Sequence, residues 1–304
     1  PSLKMTSYLK QIIKKIINFF FKNKKENKNN FFKLNFGQVK LLEFKKDFKK
    51  QYPINHYEFT AFSQFGEDGI IQYLINSLDI DNKFFFEIGV ENYTEANTRF
   101  LLENNNWEGV VLDGDKEFIN SIKSSNFYWR YNLKAYHNFI SVENINEVIK
   151  ELSIPNNLGL LSIDIDGNDY WVWKEINQIQ PSIVIIEYNA RFGKDKSVTI
   201  PYDKNFSRSK NELSPIYFGC SLSALSKLGK TKGYSLIGTN LNGNNAFFVK
   251  TSLLNSENKI IEMNVEDCFN QNSFSEIRDK ENNIIKYDKN DEEKILSKFP
   301  IIEV

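Results

Sequence analysis

Apolar residues recur at two different spacings along this chain, and the spacing changes from one segment to the next. From Ser63 onward, segments with helical spacing alternate with short uninterrupted apolar runs that are typical of buried strands. The predicted helices are 63–78, 94–104, 142–152, 170–176 and 221–228, and the predicted strands are 84–90, 109–113, 127–133, 158–165 and 182–188. Strands and helices that alternate in this way predict a mostly parallel sheet with helices on both faces.

Two further strand-like runs close this region. Tyr234–Thr239 and Ala246–Lys250 flank the Asn- and Gly-rich segment 240–245, which predicts an antiparallel hairpin. Together with the five earlier strands, the hairpin gives an α/β protein with a seven-stranded, mostly parallel sheet. We therefore divide the chain into an N-terminal arm (1–55), an α/β domain (56–254) and a C-terminal extension (255–304).

The arm begins with a pattern of its own. Its apolar residues recur at helical spacing with Lys10, Lys14 and Lys15 among them, which predicts a basic amphipathic helix. The apolar positions are Leu9, Ile12, Ile13, Ile16, Ile17 and Phe20. Such a helix packs on its own domain or on a second subunit of a homo-oligomer, or else residues 1–25 lie on an anionic membrane surface. The Lys/Asn run 22–30 predicts a polar connector.

Charge is segregated along the chain although the formal net charge is zero. Residues 1–50 contain 14 Lys and three acids, so they carry +11 and the other residues carry −11. The sequence contains no uncharged apolar stretch of about 18 residues, so it predicts no membrane-spanning helix. The two cysteines, Cys220 and Cys268, lie outside any metal-binding spacing, which favours a reducing compartment. We expect a cytoplasmic protein. If the arm binds lipid, the protein lies at the inner face of the membrane.

Two common nucleotide-binding motifs are missing. The first strand is followed by Gly89-Val90-Glu91-Asn92-Tyr93 rather than by G-x-G-x-x-G, and the sequence has no P-loop. These absences disfavour a dinucleotide dehydrogenase and a nucleoside triphosphatase.

Acidic residues end several of the predicted strands. Because ligands of open parallel sheets bind outside the carboxyl ends of the strands, these are the residues to consider first. Glu87 precedes Gly89, a glycine that allows a ligand to approach the backbone closely. Asp113 ends the second strand, where a carboxylate can accept the hydroxyls of a ribose.

Four oxygen-bearing residues follow the next two strands. Asp164 and Asp166 are two positions apart, as are Glu187 and Asn189, so each pair projects to one face if its strand continues. Hard divalent cations such as Mg²⁺ prefer oxygen ligands of this kind. The alternative is that segment 166–169 simply caps the following helix.

Four motifs together resemble a known family. Segments Ser63–Gly69, Asn97–Leu102, Ser162–Tyr170 and Asn245–Val249 are similar to FkbM-type and related S-adenosylmethionine-dependent methyltransferases found with surface-polysaccharide biosynthesis genes. The resemblance covers about residues 62–250 and implies a Rossmann-like class I methyltransferase fold. Glu91 and Tyr93 stand where further glycines are common in that superfamily.

The resemblance assigns roles to particular residues. It implies that S-adenosylmethionine binds against Glu87, Gly89, Asp113 and Asp164, with Ser63 and Gln64 folded over the cleft. It also implies Mg²⁺ or Mn²⁺ at Asp164, Asp166, Glu187 and Asn189. The catalytic candidates are Asp164, His137 and Glu187, because an acceptor alcohol must lose its proton to a base or beside a cation. Tyr188, Arg191 and Tyr202 are predicted to contact the acceptor, with Arg191 holding a phosphate.

The sequence thus favours methyl transfer to an oxygen of a small molecule or glycan, with no nucleic-acid partner. The expected acceptor is a saccharide, a nucleotide-activated sugar or a sugar-linked phosphoramidate of a capsule or related glycan. Two other readings stay open: a nucleotide-sugar oxidoreductase or epimerase, and a non-catalytic, membrane-associated protein of the polysaccharide assembly machinery.

Overall fold

The computed structural model describes residues 28–208, 215–272, 281 and 283–304. The strands are β1 (Phe84–Ile88), β2 (Glu108–Asp113), β3 (Leu133–His137), β4 (Leu160–Ile163), β5 (Ile183–Glu187), β6 (Val198–Thr199), β7 (Tyr234–Thr239), β8 (Asn245–Lys250) and β9 (Ile302–Glu303). The helices are α1 (28–44), α2 (Glu67–Ser77), α3 (Arg99–Asn105), α4 (Lys116–Ser124), α5 (Ile145–Glu151), α6 (Asp169–Glu175), α7 (Leu222–Thr231), α8 (Val265–Cys268) and α9 (Lys289–Leu296). The predicted amphipathic helix over residues 9–20 lies outside the described residues.

The main sheet has seven strands in the order β3-β2-β1-β4-β5-β8-β7. Strands β1 to β5 run parallel, and β8 pairs antiparallel with both β5 and β7. The predicted seven-stranded sheet with a closing hairpin is therefore confirmed. The strand order reverses between β1 and β4, and the crevice at such a switch point is where open α/β sheets bind ligands.

Hydrophobic cores cover both faces of this sheet, because successive side chains of a strand point to opposite faces. Phe86 and Ile88 of β1 pack on one face with residues of α5, α6 and α7. Phe85 packs on the other face with residues of α2, α3 and α4. Burial on both faces is the reason why these strands are continuous apolar runs in the sequence.

The third strand lies later in the chain than the sequence pattern predicts. The aromatic segment 127–131 forms turns, and β3 begins only at Leu133. Phe127 is buried because its ring lies 4.3 Å from the Arg99 guanidinium, so its burial does not depend on strand pairing. Helix α4 was not predicted; Asp115 caps it by accepting the Glu117 amide, and its buried residues are Ile119 and Ile122.

The C-terminal residues pack against the segment that connects β5 to α7. Strand β9 pairs antiparallel with β6. A separate hydrophobic cluster joins Leu296 of α9 to Phe192, Val198 and Tyr217. The charged run 288–294 is largely helix α9, and its Glu292 lies 2.9 Å from Arg191.

The predicted helix 63–78 begins only at Glu67, because the residues before it fold around Asp68. The buried Asp68 Oδ2 accepts the backbone amides of Ala61, Phe62 and Ser63 at 2.6–2.8 Å. Ser63 Oγ also donates to Oδ2 and accepts the Asp68 amide. We expect Asp68→Ala to lower the free energy of unfolding by about 3 kcal/mol, because it leaves three buried donors without an acceptor. Urea unfolding measures this, with Asp79→Ala at an exposed position as the control. Equal losses of unfolding free energy in the two variants would contradict the prediction.

Glu58 makes stability depend on pH. Its Oε1 accepts the Leu241 amide at 2.7 Å, and burial, with a smaller contribution from the Glu67 charge, raises its pKa to about 7. Because the pKa of Glu58 is higher in the folded state, its contribution to the free energy of unfolding is fully present below pH 4.5. That contribution is lost as the pH rises through about 7. Glu58→Gln keeps an acceptor oxygen, so we expect a higher Tm than the wild type at pH 8 and nearly the same Tm at pH 5. Calorimetric melting with Glu257→Gln as control measures this; a shift of the same size at both pH values would refute it.

Candidate functional site

The carboxyl ends of β2, β1, β4 and β5 form one edge of the sheet. The Gly89 amide, just after β1, donates to Leu112 O at 2.9 Å, and the Asp164 amide, just after β4, donates to Ile88 O at 3.0 Å. These bonds extend the pairing beyond the strands themselves. The polar residues that end the strands therefore line a single edge, as the sequence predicted.

The loop after β1 has a left-handed backbone at three alternate positions. The φ values of Gly89, Glu91 and Tyr93 are 81°, 47° and 63°. A left-handed residue other than glycine costs about 1 kcal/mol, so other contacts must hold Glu91 and Tyr93 in place. The Tyr93 hydroxyl lies 2.8 Å from Thr98 Oγ1, and Arg99 Nη1 donates to Tyr93 O at 2.8 Å. The loop thus has the backbone of a glycine-rich loop with only its first glycine.

Glu87 is an internal anchor for the chain that follows this loop. Its buried carboxylate accepts the amides of Asn97 and Thr98, and also the Thr98 hydroxyl at 2.5 Å. Burial raises its pKa to about 7. The structure therefore gives Glu87 a different use from the predicted cofactor contact: it fixes the start of α3.

Asp113 lies at the predicted place and holds the loop after β1 against β2. Its Oδ2 accepts the amides of Val90 and Glu91 at 3.1 and 2.7 Å, and its Oδ1 accepts the Asp115 amide at 2.7 Å. A carboxylate has about four lone-pair sites, so about one remains for a ligand hydroxyl. The carboxylate therefore has room for about one ligand hydroxyl rather than for both hydroxyls of a ribose.

His137 ends β3, where it pairs with Asp113 across the sheet, and its Nε2 lies 3.1 Å from Gly114 O. Strands β2 and β1 separate it from β4, so His137 and Asp164 are about 14 Å apart at the usual strand spacing. This distance rules against the predicted role of His137 as a base that works beside Asp164.

Phe139 is a candidate that the sequence reasoning missed. It follows β3, is 50% exposed, and packs its ring on Gly114, where an added Cβ would lie 3.0 Å from Phe139 Cδ2. An exposed aromatic ring beside the end of β2 offers a flat surface to a purine base. Placing the third strand six residues too early hid this position.

Three acidic side chains converge at the ends of β4 and β5. Asp164, Asp166 and Glu187 each present a carboxylate oxygen, and these oxygens lie within 4.8 Å of one another. The buried Asp169 shapes the turn by accepting the amides of Ile165 and Gly167 at 2.9 and 2.8 Å. Three of the four predicted metal ligands thus come together.

The carboxylate cluster of Asp164, Asp166 and Glu187 is electrostatically unfavourable by itself. Burial, and then the charges of neighbouring carboxylates, raises the pKa of Asp164 and of Glu187 well above the ordinary range. Arg208 Nη1 lies 2.8 Å from Asp166 Oδ1, and its guanidinium lies 3.9 Å from the Phe218 ring centroid. Sequence reasoning missed Arg208, which reaches the cluster from 42 residues away.

Two acceptor atoms beside the cluster are buried without a partner. Among the described residues, neither Glu187 Oε2 nor Asn245 Oδ1 has a hydrogen-bond partner. Glu187 and Asn245 are opposite each other in the β5–β8 pairing, so their side chains share one face. Buried acceptors of this kind are expected to meet a donor or a cation.

The segment around Ser63 reaches the same place through Glu67. Glu67 Oε1 accepts Nδ2 of Asn240 and of Asn245, at 2.7 and 2.9 Å. Ser63 itself is buried against Asp68, whereas Gln64 is exposed. The segment therefore packs beside the carboxylate cluster, with Gln64 the predicted residue that stays open to a ligand.

The remaining predicted residues are used elsewhere. Asn189 donates to the carbonyls of Ile216 and Phe218, and its Oδ1 accepts the Arg191 amide, so these hydrogen bonds fix its side chain against the segment before α7. Arg191 Nε is paired with Glu292, so its charge is balanced within the protein. The Tyr188 hydroxyl donates to Asn270 O, and the Tyr202 hydroxyl donates to Glu143 at 2.6 Å. The predicted acceptor wall is therefore corrected: these side chains tie the site to its surrounding segments.

Sequence comparison finds no matching family model and no matching curated protein. Solved structures share parts of the fold. The N-terminal domain of EvdMO1 with SAH bound matches 60% of this chain and 79% of its own, at 10% identity and a TM-score of 0.41. The CurJ carbon methyltransferase matches 65% of this chain and 57% of its own, at 12% identity and a TM-score of 0.42. The O-methyltransferase from Bacillus cereus in complex with SAH matches 59% of this chain and 76% of its own, at 14% identity and a TM-score of 0.37.

The chain has the Rossmann-like class I methyltransferase fold. The strand order of its own sheet, with the antiparallel β7–β8 hairpin beside β5, carries this assignment. The reaction is a separate question, because one fold hosts many activities.

Proposed function

We propose that this chain is an S-adenosylmethionine-dependent O-methyltransferase. Its proposed acceptor is a hydroxyl of a saccharide, a nucleotide-activated sugar or a sugar-linked phosphoramidate in the biosynthesis of a capsule or related surface glycan. The observation that carries the proposal is the convergence of Asp164, Asp166 and Glu187 beside the loop that follows β1. The SAH-bound solved structures named above agree with a cofactor of this class.

The edge formed by β1 and β2 fits the proposed cofactor. S-Adenosylmethionine supplies a methyl group that its sulfonium has already activated. The loop after β1 would border the cofactor, and the remaining acceptor site of Asp113, whose carboxylate holds that loop, would take a ribose hydroxyl. Phe139 would stack on the adenine. These residues bind and orient, which is most of what an in-line methyl transfer requires.

The carboxylate cluster fits a divalent cation, Mg²⁺ or Mn²⁺. Three carboxylate oxygens within 4.8 Å form a hard donor set, and Glu187 Oε2 has no partner among the described residues. Asp164, Asp166 and Glu187 would hold the cation, which supplies Lewis acidity toward an acceptor oxygen. Arg208 would keep Asp166 in place.

The chain's own groups also suit an acceptor alcohol. A carboxylate oxygen of Asp164 or Glu187 that does not bind the cation would take up the hydroxyl proton. Asn245 Oδ1 would accept a hydrogen bond from a neighbouring hydroxyl of the acceptor. A polyhydroxylated acceptor satisfies both buried oxygens at once, which is the reason to favour a sugar.

The two rival readings are weaker on specific grounds. An oxidoreductase of the dinucleotide type needs G-x-G-x-x-G after its first strand, and Glu91 and Thr94 stand where its second and third glycines would fall. A non-catalytic interaction protein gives no reason for three carboxylates to be held together with Glu187 buried among them, since such an arrangement costs stability.

The experiment that tests the proposal is transfer of a tritiated methyl group from S-adenosylmethionine to a panel of sugars and nucleotide sugars. We expect incorporation that EDTA abolishes and that Mg²⁺ or Mn²⁺ restores. Incorporation that persists in EDTA would show that the reaction does not require the cation. No transfer to any hydroxylated acceptor, together with transfer to an amine or carbon acceptor, would overturn the O-methyltransferase proposal.

Phe139→Ala is expected to weaken binding of S-adenosylhomocysteine about tenfold, because stacking of one base on an aromatic ring contributes about 1–3 kcal/mol. Trp129→Ala removes an exposed aromatic side chain from the turn before β3 and serves as the control. Calorimetric titration of both variants measures the effect. Unchanged affinity in Phe139→Ala would place the adenine elsewhere.

A further inference from the structure

Helix α1 carries apolar residues on two opposite faces. The inner face packs on the domain: Leu41 is buried, and Leu34 and Phe44 contact the cluster of Phe59, Ala61, Phe62 and Phe100. Gly37 brings the helix close, since a Cβ there would lie 2.5 Å from the Phe100 ring. The inner face alone thus explains why α1 is attached to the domain.

The outer face is apolar as well, and its side chains are exposed in the part of the chain that the structure describes. Its large side chains are 48–64% exposed. They are Phe31, Phe32, Phe36, Val39 and Leu42. At 100° per residue these five positions fall within one arc of about 140°, on the side of α1 away from Leu41. A contiguous exposed apolar stripe of this kind marks an interaction surface.

The charge around this stripe is strongly positive. Residues 28–50 contain seven lysines and only two acids, Glu43 and Asp47. The two acids are paired with Lys40 and Lys50, which leaves five lysines without an acidic residue of this segment to balance them. Residues 1–27 add seven more lysines and one acid. The partner of the outer face must therefore accept aromatic and aliphatic side chains and carry negative charge.

We propose that the outer face of α1 docks on an anionic lipid bilayer. Aromatic and leucine side chains enter the boundary between headgroups and acyl chains, and the lysines around them attract acidic headgroups. A second copy of this chain fits less well, because it would bring two positive surfaces together. The proposal does not depend on the methyl-transfer reaction.

The test is binding of the full chain to vesicles. We expect binding to vesicles of phosphatidylcholine and phosphatidylglycerol in equal parts, and at least about tenfold weaker binding to phosphatidylcholine alone. The quadruple variant Phe31→Gln, Phe32→Gln, Phe36→Gln and Leu42→Gln should bind the mixed vesicles at least about tenfold more weakly. Its Tm should be unchanged, because these side chains are exposed. Trp129→Gln with Ile261→Gln removes exposed apolar groups elsewhere and should bind like the wild type.

A label on the helix shows whether this face itself enters the bilayer. Cys220 and Cys268 are buried, so Phe36→Cys takes up an environment-sensitive fluorophore selectively. We expect a blue shift of its emission with mixed vesicles. Absence of a shift, or a quadruple variant that binds like the wild type, would overturn the proposal. A concentration-dependent dimer in sedimentation that the quadruple variant loses, without vesicle binding by the wild type, would replace the bilayer with a second copy of the chain.

Discussion

Glu187→Gln is expected to lower kcat for methyl transfer at least about a thousandfold and to raise the thermal stability of the protein. The rate falls because the variant removes a charged oxygen that the cation and the acceptor proton both require. The stability rises because a neutral amide of the same size relieves burial and repulsion at a group whose pKa is raised well above its ordinary range. Affinity for S-adenosylhomocysteine should change little.

The opposite signs of the two effects separate catalysis from simple structural damage. Single-turnover kinetics and calorimetric melting of the same preparation measure them, with the exposed Glu151→Gln as the matched control. A variant that loses activity and stability together would show that Glu187 only supports the fold. Retained activity would remove it from the reaction.

Gly89→Ala is expected to lower the free energy of unfolding by at least about 3 kcal/mol and to abolish binding of S-adenosylhomocysteine. Its Cβ would lie 1.6 Å from the carbonyl oxygen of Asp164, a backbone atom that cannot move without displacing the turn at 164–166. The left-handed backbone, with φ of 81°, adds about 1 kcal/mol. The variant therefore links the loop after β1 directly to the carboxylate cluster.

Gly193→Ala is the control for the backbone part of this effect. Its φ is 77°, and an added Cβ meets no atom within 4 Å. Because its ψ is 177°, a backbone region nearly exclusive to glycine, we expect a loss of about 1–3 kcal/mol from backbone strain alone and unchanged cofactor affinity. Urea unfolding and calorimetric titration compare the two variants. A Gly89→Ala protein no worse than Gly193→Ala would contradict the close approach of the two segments.

The sheet was predictable because its central strands are buried on both faces. Phe84–Phe86 and Ile183–Ile186 are uninterrupted apolar runs, a pattern typical of parallel strands between two layers of helices. Edge strand β3 gave the wrong prediction, because its pattern of buried and exposed residues is weak while the aromatic segment before it is strongly apolar. Because the third strand was placed too early in the chain, His137 was predicted as a site residue and Phe139 was not.

Side-chain roles in the site were predictable only where the partner lies nearby in sequence. The spacing of Asp164 and Asp166 and the acid that ends β5 are local features, and they do converge. Arg191 and Tyr188 are occupied by Glu292 and Asn270, which are 101 and 82 residues away. Asn245 lies beside Glu187 through strand pairing, and Glu67 reaches Asn245 from 178 residues away. No periodicity in the sequence carries these contacts.

The central claim is that the edge formed by β1, β2 and β4 binds S-adenosylmethionine, and calorimetric titration of the full chain with S-adenosylhomocysteine tests it most directly. We predict saturable binding at one site per chain, no binding of NAD⁺, and loss of binding in Asp113→Ala, which frees the amides of Val90 and Glu91 from their acceptor. Tight binding of NAD⁺ without binding of S-adenosylhomocysteine, or no binding of either ligand, would contradict the account.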